Sequence, residues 1–421
     1  MSSALPLESS RARLTAYALA ATVARSGNGA VATAVVLSVL DVGGSAQQGS
    51  VIVSCLTATA AVAGPIMGVR LERARRPRIA IAVSLAGLAV GCGALALGIG
   101  SWPLVALAVV AGLTGLAYPS VTGVLSSQLR PLVPGVSRGR LYAVDVGTYN
   151  VSEVAGPALV GVAVVVDGSV PGAVAMEIVT ILFAVSAVLV GLLPLPDRPR
   201  ASGPPIPFSD VLRAGFRSYR LSRALRRVTL INTLSFAATA ALVIGGPMMG
   251  LELGSSAGLG GIFLAVISAG AVAGSVIFLR RPIAAAPERT FMVAAAVYAV
   301  SVGVLALAPN LLSILVLAFV AGVIQAPMNI AVFATRDRES SDETRAFVFV
   351  TASALKTAAF AIGSLLVAGL VGLGWRGLFV AAAIWQALTL IAGLLAVPRS
   401  APGESATSVS PTEGEVHDQA D

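Results

Sequence analysis

Apolar residues fill most of this chain in long stretches, and short groups of glycine, proline or charged residues interrupt them. A helix needs about 20 apolar residues to cross the hydrocarbon core of a bilayer, which is close to the length of these stretches. The pattern predicts twelve membrane-spanning helices, over residues 12–40, 47–69, 79–99, 103–128, 140–166, 173–194, 228–250, 256–279, 290–308, 311–335, 344–372 and 377–397. We therefore expect an all-α integral membrane protein.

The composition supports the same class. Hydrophobic residues make up 56% of the 421 residues, charged residues only 11%, and the mean hydropathy is +0.89. These values lie outside the range of soluble globular proteins, so the lipid bilayer is an expected partner. The net charge of +8 would suggest nucleic acid as a partner in a soluble protein. Here the positions of the basic residues explain it better, and we expect no nucleic acid.

Basic residues concentrate in alternate loops. Five arginines occupy the nine residues from Arg70 to Arg78, for example, and loops on the same predicted side hold 25 of the 28 basic residues. Only Arg376 falls on the other side, while Arg25 and Lys356 fall inside predicted helices. Cytoplasmic loops of membrane proteins are enriched in lysine and arginine. This distribution predicts a multi-pass protein of the cell membrane with both termini in the cytoplasm.

The chain divides near its middle and repeats itself. At an offset of about 205 to 210 residues, AVATAVVL at Ala30 resembles FAATAALV at Phe236, and VVAGLTGLAYP at Val109 resembles FVAGVIQAPMN at Phe319. A shared order of such matches indicates duplication of a six-helix unit. We predict an N-terminal bundle over 1–195, a basic cytoplasmic linker over 196–227, a C-terminal bundle over 228–398 and a disordered acidic tail over 399–421.

The residue types exclude several kinds of chemistry. Cys55 and Cys92 stand alone in apolar segments, and the single histidine, His417, lies in the tail, so we expect neither a metal nor a cofactor. The single lysine follows no glycine-rich phosphate-binding loop, which argues against ATP-driven transport by this chain alone. We expect no enzymatic activity, and a monomer.

The segment between the second and third predicted helices resembles the signature loop of the major facilitator superfamily. It contains Gly68, Glu72, Arg73 and Arg76 in the order Gly-Val-Arg-Leu-Glu-Arg-Ala-Arg-Arg-Pro. Glutamate replaces the family's aspartate, Arg75 replaces its second glycine and Pro77 its last basic residue. The resemblance extends from about Arg11 to Pro398. It implies two six-helix bundles that rock about a central site, with this loop as a cytoplasmic latch on the eleventh helix.

The fifth predicted helix contains SEVAGPALVG, which is similar to the antiporter signature of the same family. Ser152, Gly156, Pro157 and Gly161 occupy its positions, with serine in place of the first glycine. Small residues allow close helix packing, and the proline can bend the helix. The resemblance favours the drug-efflux, proton-antiporter branch of the superfamily, and hence export.

Four ionisable residues lie well inside predicted helices, namely Arg25, Asp145, Glu153 and Lys356, whereas Glu177 is closer to the outer end of the sixth and is a weaker candidate. Because charges are costly inside a bilayer, each is a candidate for the proton-coupling or substrate path, together with the neighbouring Asn28 and Tyr149. Arg25 and Glu153 lie at similar depth, so we expect an ion pair between them. That pair either fixes helix packing only, or contains a carboxylate that gains and loses a proton during transport. Lys356 is expected to contact an anionic or carbonyl-bearing substrate or a carboxylate across the cavity.

These observations favour a secondary transporter that exports a small amphipathic molecule in exchange for protons by alternating access. A proton-coupled uptake symporter of the same fold is the first alternative. The second is an integral-membrane lipid or prenyl transferase, which would need clustered carboxylates for a metal. The only candidate cluster, DRESSDE from Asp337 to Glu343, lies among arginines.

Overall fold

A computed structural model shows a protein built of long helices. It describes residues 7–72, 74–121, 123–134, 136, 138–167, 171–197, 222–254, 256–279, 287–339 and 345–396. The predicted tail and most of the predicted linker lie outside these residues. The long helices are α1 (Leu7–Asp41), α2 (Ala46–Glu72), α3 (Pro77–Gly98), α4 (Leu104–Gly115), α5 (Arg138–Asp167), α6 (Pro171–Leu192), α7 (Arg223–Gly254), α8 (Leu259–Leu279), α9 (Pro287–Leu305), α10 (Leu311–Arg338), α11 (Arg345–Leu370) and α12 (Gly374–Ala396).

The described part of the chain contains eleven segments that are long and apolar enough to cross a membrane. The last of them, Thr351–Leu395, is 45 residues long and includes both α11 and α12. A short 3₁₀ turn, Val371–Leu373, separates these two helices. Gly374 has a φ of 68°, a left-handed conformation that glycine adopts without strain, and the chain changes direction there.

Two predicted spans differ from the structure. The predicted helix 103–128 is interrupted, because α4 ends at Gly115 and a 3₁₀ turn follows at Tyr118–Ser120. Pro119 explains the break, since it has no N–H to donate and its ring clashes with the carbonyl four residues earlier, at Gly115. In addition, α7 begins at Arg223, inside the segment predicted as linker.

The outer surface is apolar. Leu97, Val166 and Leu395 expose 75 to 81% of their area, and many other leucines, valines and isoleucines are exposed. The interior contains fully buried aromatic rings, including Tyr17, Phe183, Phe291 and Trp375. An apolar surface on a helical protein suits a lipid environment, where helices associate through close packing rather than by the hydrophobic effect.

The helices pack in two sets with the same internal pattern. In the first set α1 contacts α5 and α6, α3 contacts α6, and α2 contacts α4; in the second set α7 contacts α11 and α12, α9 contacts α12, and α8 contacts α10. Each contact in the first set therefore has its equivalent six helices later. We call α1–α6 the first half and α7–α12 the second half. We call the side where α1 begins and α12 ends the terminal face, and the other side the opposite face.

Glycines at close helix contacts give the register of this repeat. Gly49 approaches Val36 as Gly260 approaches Pro247, 211 positions later in both cases. A Cβ at Gly115 would overlap the carbonyl of Leu56, and one at Gly322 would overlap that of Ile267. A Cβ at Gly156 would overlap the carbonyl of Ser26, and one at Gly363 that of Ala237. The offset is thus 211 for α1 and α2 and 207 for α4 and α5. The predicted match of Ala30 with Phe236 is therefore wrong by five positions, and that of Val109 with Phe319 by three.

The contact of Gly156 with α1 makes a direct prediction about stability. Gly156→Ala should lower the apparent melting temperature of the purified protein, because the added methyl group would overlap the backbone of α1, at a cost of roughly 1–3 kcal/mol. Gly147→Ala in the same helix is the matched control, since a Cβ there would meet nothing within 4 Å. Equal melting temperatures for the two variants would contradict this packing.

Candidate functional site between the two halves

The two halves meet mainly through α5 with α8 and α2 with α11. These two contacts are equivalent under the repeat, because α2 corresponds to α8 and α5 to α11. At the first contact, a Cβ on Gly161 would lie 2.6 Å from the backbone nitrogen of Ile262. At the second, the Ser54 hydroxyl donates to the carbonyl of Ala361 over 2.8 Å. Both contacts lie toward the opposite face.

At the terminal face, ion pairs and hydrogen bonds join helices of the same half. Arg227 at the start of α7 pairs with Glu288 at the start of α9. The Ser222 hydroxyl donates to Glu339, just after α10, over 2.8 Å. These contacts hold the second half together at this face.

Helix α5 has two faces that carry polar or small residues, and each contacts a different helix. Asp145, Tyr149, Ser152 and Gly156 face α1, and the Ser152 hydroxyl donates to the carbonyl of Thr22 over 3.1 Å. The other stripe faces α8 and runs through Glu153, Pro157 and Gly161, which are four residues apart. The carbonyl of Pro157 and the Cα of Gly161 both approach Gly261 of α8. The antiporter-like motif therefore joins α5 to α1 through Gly156 and to the second half through Gly161.

Arg25 is buried in the first half, and both of its terminal nitrogens have partners there. Its Nη2 lies 2.9 Å from Oδ1 of Asp145 and donates to the Ser126 hydroxyl over 2.8 Å. Its Nη1 donates to the carbonyl of Asp145 over 3.1 Å and to the Thr148 hydroxyl. The guanidinium also lies 3.6 Å from the centre of the Tyr149 ring. These contacts neutralise the charge within the half.

Asp145 is held just as firmly, because the Tyr17 hydroxyl donates to its Oδ1 over 2.6 Å. The predicted pair of Arg25 with Glu153 is therefore wrong: the partner is Asp145. Eight residues separate Asp145 from Glu153, which is about 80° around a helix. That angle places the two carboxylates on adjacent faces, one toward α1 and one toward the second half.

Glu153 and Lys356 carry opposite charges in different halves. Glu153 is exposed although it lies in the middle of α5, and Lys356 is half-buried in the middle of α11. Their charges interact electrostatically, and Lys356 also experiences the positive charge of Arg336 on α10. The Lys356 Nζ lies 3.9 Å from the centre of the Phe236 ring on α7. Two opposite charges from different halves thus interact at longer range, and Asn28 and Tyr149 are half-buried.

The residues of the predicted latch are only partly within the described chain. Gly68 and Glu72 lie in the last turns of α2, while Arg73 and residues 340–344, which precede the eleventh helix where the latch is predicted to bind, lie outside the described residues. Arg76 precedes α3, and its Nε lies 3.9 Å from Asp197 of the first half. Both of these side chains are exposed, so this pair adds little stability.

Several side chains of the site were absent from the sequence prediction. Tyr17, Ser126 and Thr148 surround Arg25, and Phe236 and Phe360 lie beside Lys356. Hydroxyl and aromatic residues are common in membrane helices, so their types alone carry no signal. The correct repeat register would have identified Phe236, because it is the position equivalent to Arg25.

The Major Facilitator Superfamily profile matches residues 17–286, which is more than half of the chain. The chain belongs to the major facilitator superfamily. No curated protein sequence matches the chain significantly. Members of this superfamily move small molecules across membranes, and its fold disfavours the membrane-enzyme alternative. Among the described residues, no three histidine, cysteine or acidic side chains are grouped as metal ligands.

Solved structures of transporters share the fold at low sequence identity. The nucleoside transporter NupG is 12% identical with a TM-score of 0.67, covering 92% of this chain and 100% of that chain. The human organic anion transporter MFSD10 is 17% identical with a TM-score of 0.65, covering 92% and 100%. A bacterial homolog of the human lysosomal transporter Spinster, inward-facing and occupied, is 14% identical with a TM-score of 0.69, covering 91% and 96%.

The different surroundings of the two carboxylates on α5 predict different effects of neutralising them. Asp145→Asn should destabilise the purified protein by about 3–5 kcal/mol, because it leaves the Arg25 charge buried without its counter-ion. Glu153→Gln should leave the apparent melting temperature close to that of the wild type, because Glu153 is exposed. Thermal unfolding in one detergent compares the two variants. A larger loss for Glu153→Gln would contradict the assignment of Asp145 as the partner of Arg25.

Proposed function

We propose that the protein is a secondary transporter of the cell membrane that exports a small amphipathic molecule in exchange for protons by alternating access. In this proposal the chain crosses the membrane twelve times, as two six-helix bundles joined by a basic linker, with both termini in the cytoplasm. The observation that carries the proposal is the electrostatic interaction of Glu153 in the middle of α5 with Lys356 in the middle of α11, one charge from each half. A site shared by two halves changes when the halves move relative to each other.

The contacts between the halves support a rocking movement. The α5–α8 and α2–α11 contacts close the opposite face, while Glu153 remains exposed between the halves. With the termini in the cytoplasm, this arrangement corresponds to a state that is open to the cytoplasm. In the outward-open state, the loop with Gly68, Glu72, Arg73 and Arg76 would latch the halves at the terminal face. The backbones in contact at Gly161 and Gly261 would separate then.

Proton coupling is assigned to Glu153. An exposed carboxylate in the middle of a membrane helix can exchange protons with water in the cavity, whereas Asp145 is bound by Tyr17 and Arg25. A proton on Glu153 removes its attraction to Lys356. It thereby changes the relative energy of the two states of the transporter. Export rather than uptake is proposed because Ser152, Gly156, Pro157 and Gly161 resemble the antiporter signature of the superfamily.

The direction of coupling can be measured in liposomes that enclose a pH-sensitive dye. Vesicles are loaded with one cationic, neutral or anionic amphiphile and diluted into amphiphile-free buffer at the same pH. Exchange predicts that the lumen becomes more acidic as the solute leaves, and that Glu153→Gln abolishes this signal. The control is Glu177→Gln, which removes an exposed carboxylate from α6. A more alkaline lumen would indicate symport, and an unchanged signal in Glu153→Gln would exclude that residue from coupling.

Alternating access also predicts which cross-link stops transport. In a variant without Cys55 and Cys92, a disulfide between Ser54→Cys and Ala361→Cys should abolish transport, because it joins the halves at the opposite face. Reduction should restore activity. The control is a disulfide between Ser235→Cys and Thr389→Cys, whose hydroxyls are 3.4 Å apart within the second half, and which should leave transport intact. Full activity of the oxidised first variant would contradict the rocking movement.

A further inference from the structure

Each half places a cation over an aromatic ring at equivalent positions of the repeat. The helix that supplies the cation in the first half supplies the ring in the second half, and the reverse. In the first half the Arg25 guanidinium lies 3.6 Å from the centre of the Tyr149 ring, and in the second half the Lys356 Nζ lies 3.9 Å from that of Phe236. Phe236 follows Arg25 by 211 positions, and Lys356 follows Tyr149 by 207. These are the offsets that relate the glycine contacts of the two halves.

The surroundings of the two cations differ sharply. The positions equivalent to Tyr17, Asp145 and Thr148, which bind or surround Arg25, are occupied in the second half by Val228, Ala352 and Leu355. The position equivalent to Glu153 is Phe360, whose ring centre lies 6.4 Å from that of Phe236. At each of these positions an apolar residue has replaced a polar one. The second half thus supplies rings to Lys356 but no carboxylate there.

The charge of Lys356 therefore lacks a close counter-ion. In the described part of the chain, no carboxylate oxygen lies within 4.0 Å of its Nζ, and Glu153 interacts with it only at longer range. Arg336 adds a second positive charge nearby. A cation inside a membrane protein is stabilised by an opposite charge, and an aromatic face replaces only part of that stabilisation. The side chains of Lys356, Phe236 and Phe360 are half-buried, so part of each remains accessible to a solute.

We infer that Lys356, Phe236 and Phe360 form a binding subsite for an amphipathic organic anion. The ammonium binds the anionic group of the solute, and the two rings contact the apolar or aromatic part next to it. Phe236 is the positioning residue, because its ring holds the ammonium at the cavity surface. This inference rests on the proposed function, and it defines the substrate class of the same site.

Three probes of matched shape test the charge preference. They are 4-phenylbutyrate, 4-phenylbutyramide and 4-phenylbutylamine, and their binding to the purified full-length protein is measured by titration calorimetry. The wild type should bind the carboxylate at least about tenfold more tightly than the amide or the amine, as expected for a charge-assisted contact. Equal binding of the three, tighter binding of the amine, or no binding of 4-phenylbutyrate would overturn the inference.

Variants of Lys356 and Phe236 then test whether the subsite causes the preference for the carboxylate probe. Lys356→Gln should abolish the preference for the carboxylate while keeping the weak binding of the amide. Lys356→Arg keeps the positive charge and should retain most of the preference for the carboxylate. Phe236→Leu should weaken binding of 4-phenylbutyrate by about fivefold through loss of the cation–π contact. The control is Arg376→Gln, which removes a cation 4.4 Å from the Trp375 ring at the opposite face, and it should bind like the wild type.

Failure of the anion subsite can be distinguished from loss of folding and from failure of the proposed function. Binding of the amide reports a folded cavity in every variant, so loss of folding is not mistaken for loss of the anion subsite. A preference for the carboxylate that persists in Lys356→Gln would overturn the inference. Proton movement driven by a cationic amphiphile would leave alternating access in place while removing the anion as substrate class.

Discussion

Close helix packing through glycine is the constraint on which this structure depends. Helices in lipid gain little from burying apolar surface, so they associate where small residues let backbones approach. Gly156 joins α5 to α1 within the first half, and Gly161 joins α5 to α8 of the second half, only five residues along the same helix. One helix therefore packs closely within its own half and also forms a main contact with the other half.

The charged residues are divided in a similar way, because one ion pair lies inside a single half and two other charges lie in different halves. Arg25 and Asp145 neutralise each other inside the first half, where Arg25 also donates to the Ser126 hydroxyl and Asp145 accepts from the Tyr17 hydroxyl. Such a pair costs desolvation energy, and its loss on one side would leave an unpaired buried charge. Glu153 and Lys356 are arranged differently, because each depends on the other half or on a solute for its opposite charge. In the proposed function Asp145 therefore serves stability and Glu153 serves transport, although only eight residues separate them in α5.

The sequence predicted the helical membrane class, most helix boundaries and the repeat, because hydropathy and spacing report directly on the bilayer. It missed the break at Pro119, since an apolar run hides a local backbone clash. It also mispaired Arg25 with Glu153, because equal depth does not specify which side of a helix a residue occupies. The sequence also did not reveal that Arg25 over Tyr149 corresponds to Lys356 over Phe236 with ring and cation exchanged. Recognising this needs the register of the repeat, which only the three-dimensional contacts establish.

The central claim is that the two halves rock about the site containing Glu153 and Lys356. Its most direct test is electron paramagnetic resonance distance measurement on two spin-labelled pairs in lipid nanodiscs, with and without a transported solute. One pair, Arg76→Cys with Arg338→Cys, reports on the terminal face, and the other, Val42→Cys with Leu373→Cys, on the opposite face. The account predicts that one distance shortens as the other lengthens. Distances that stay fixed, or that change in the same direction, would contradict it.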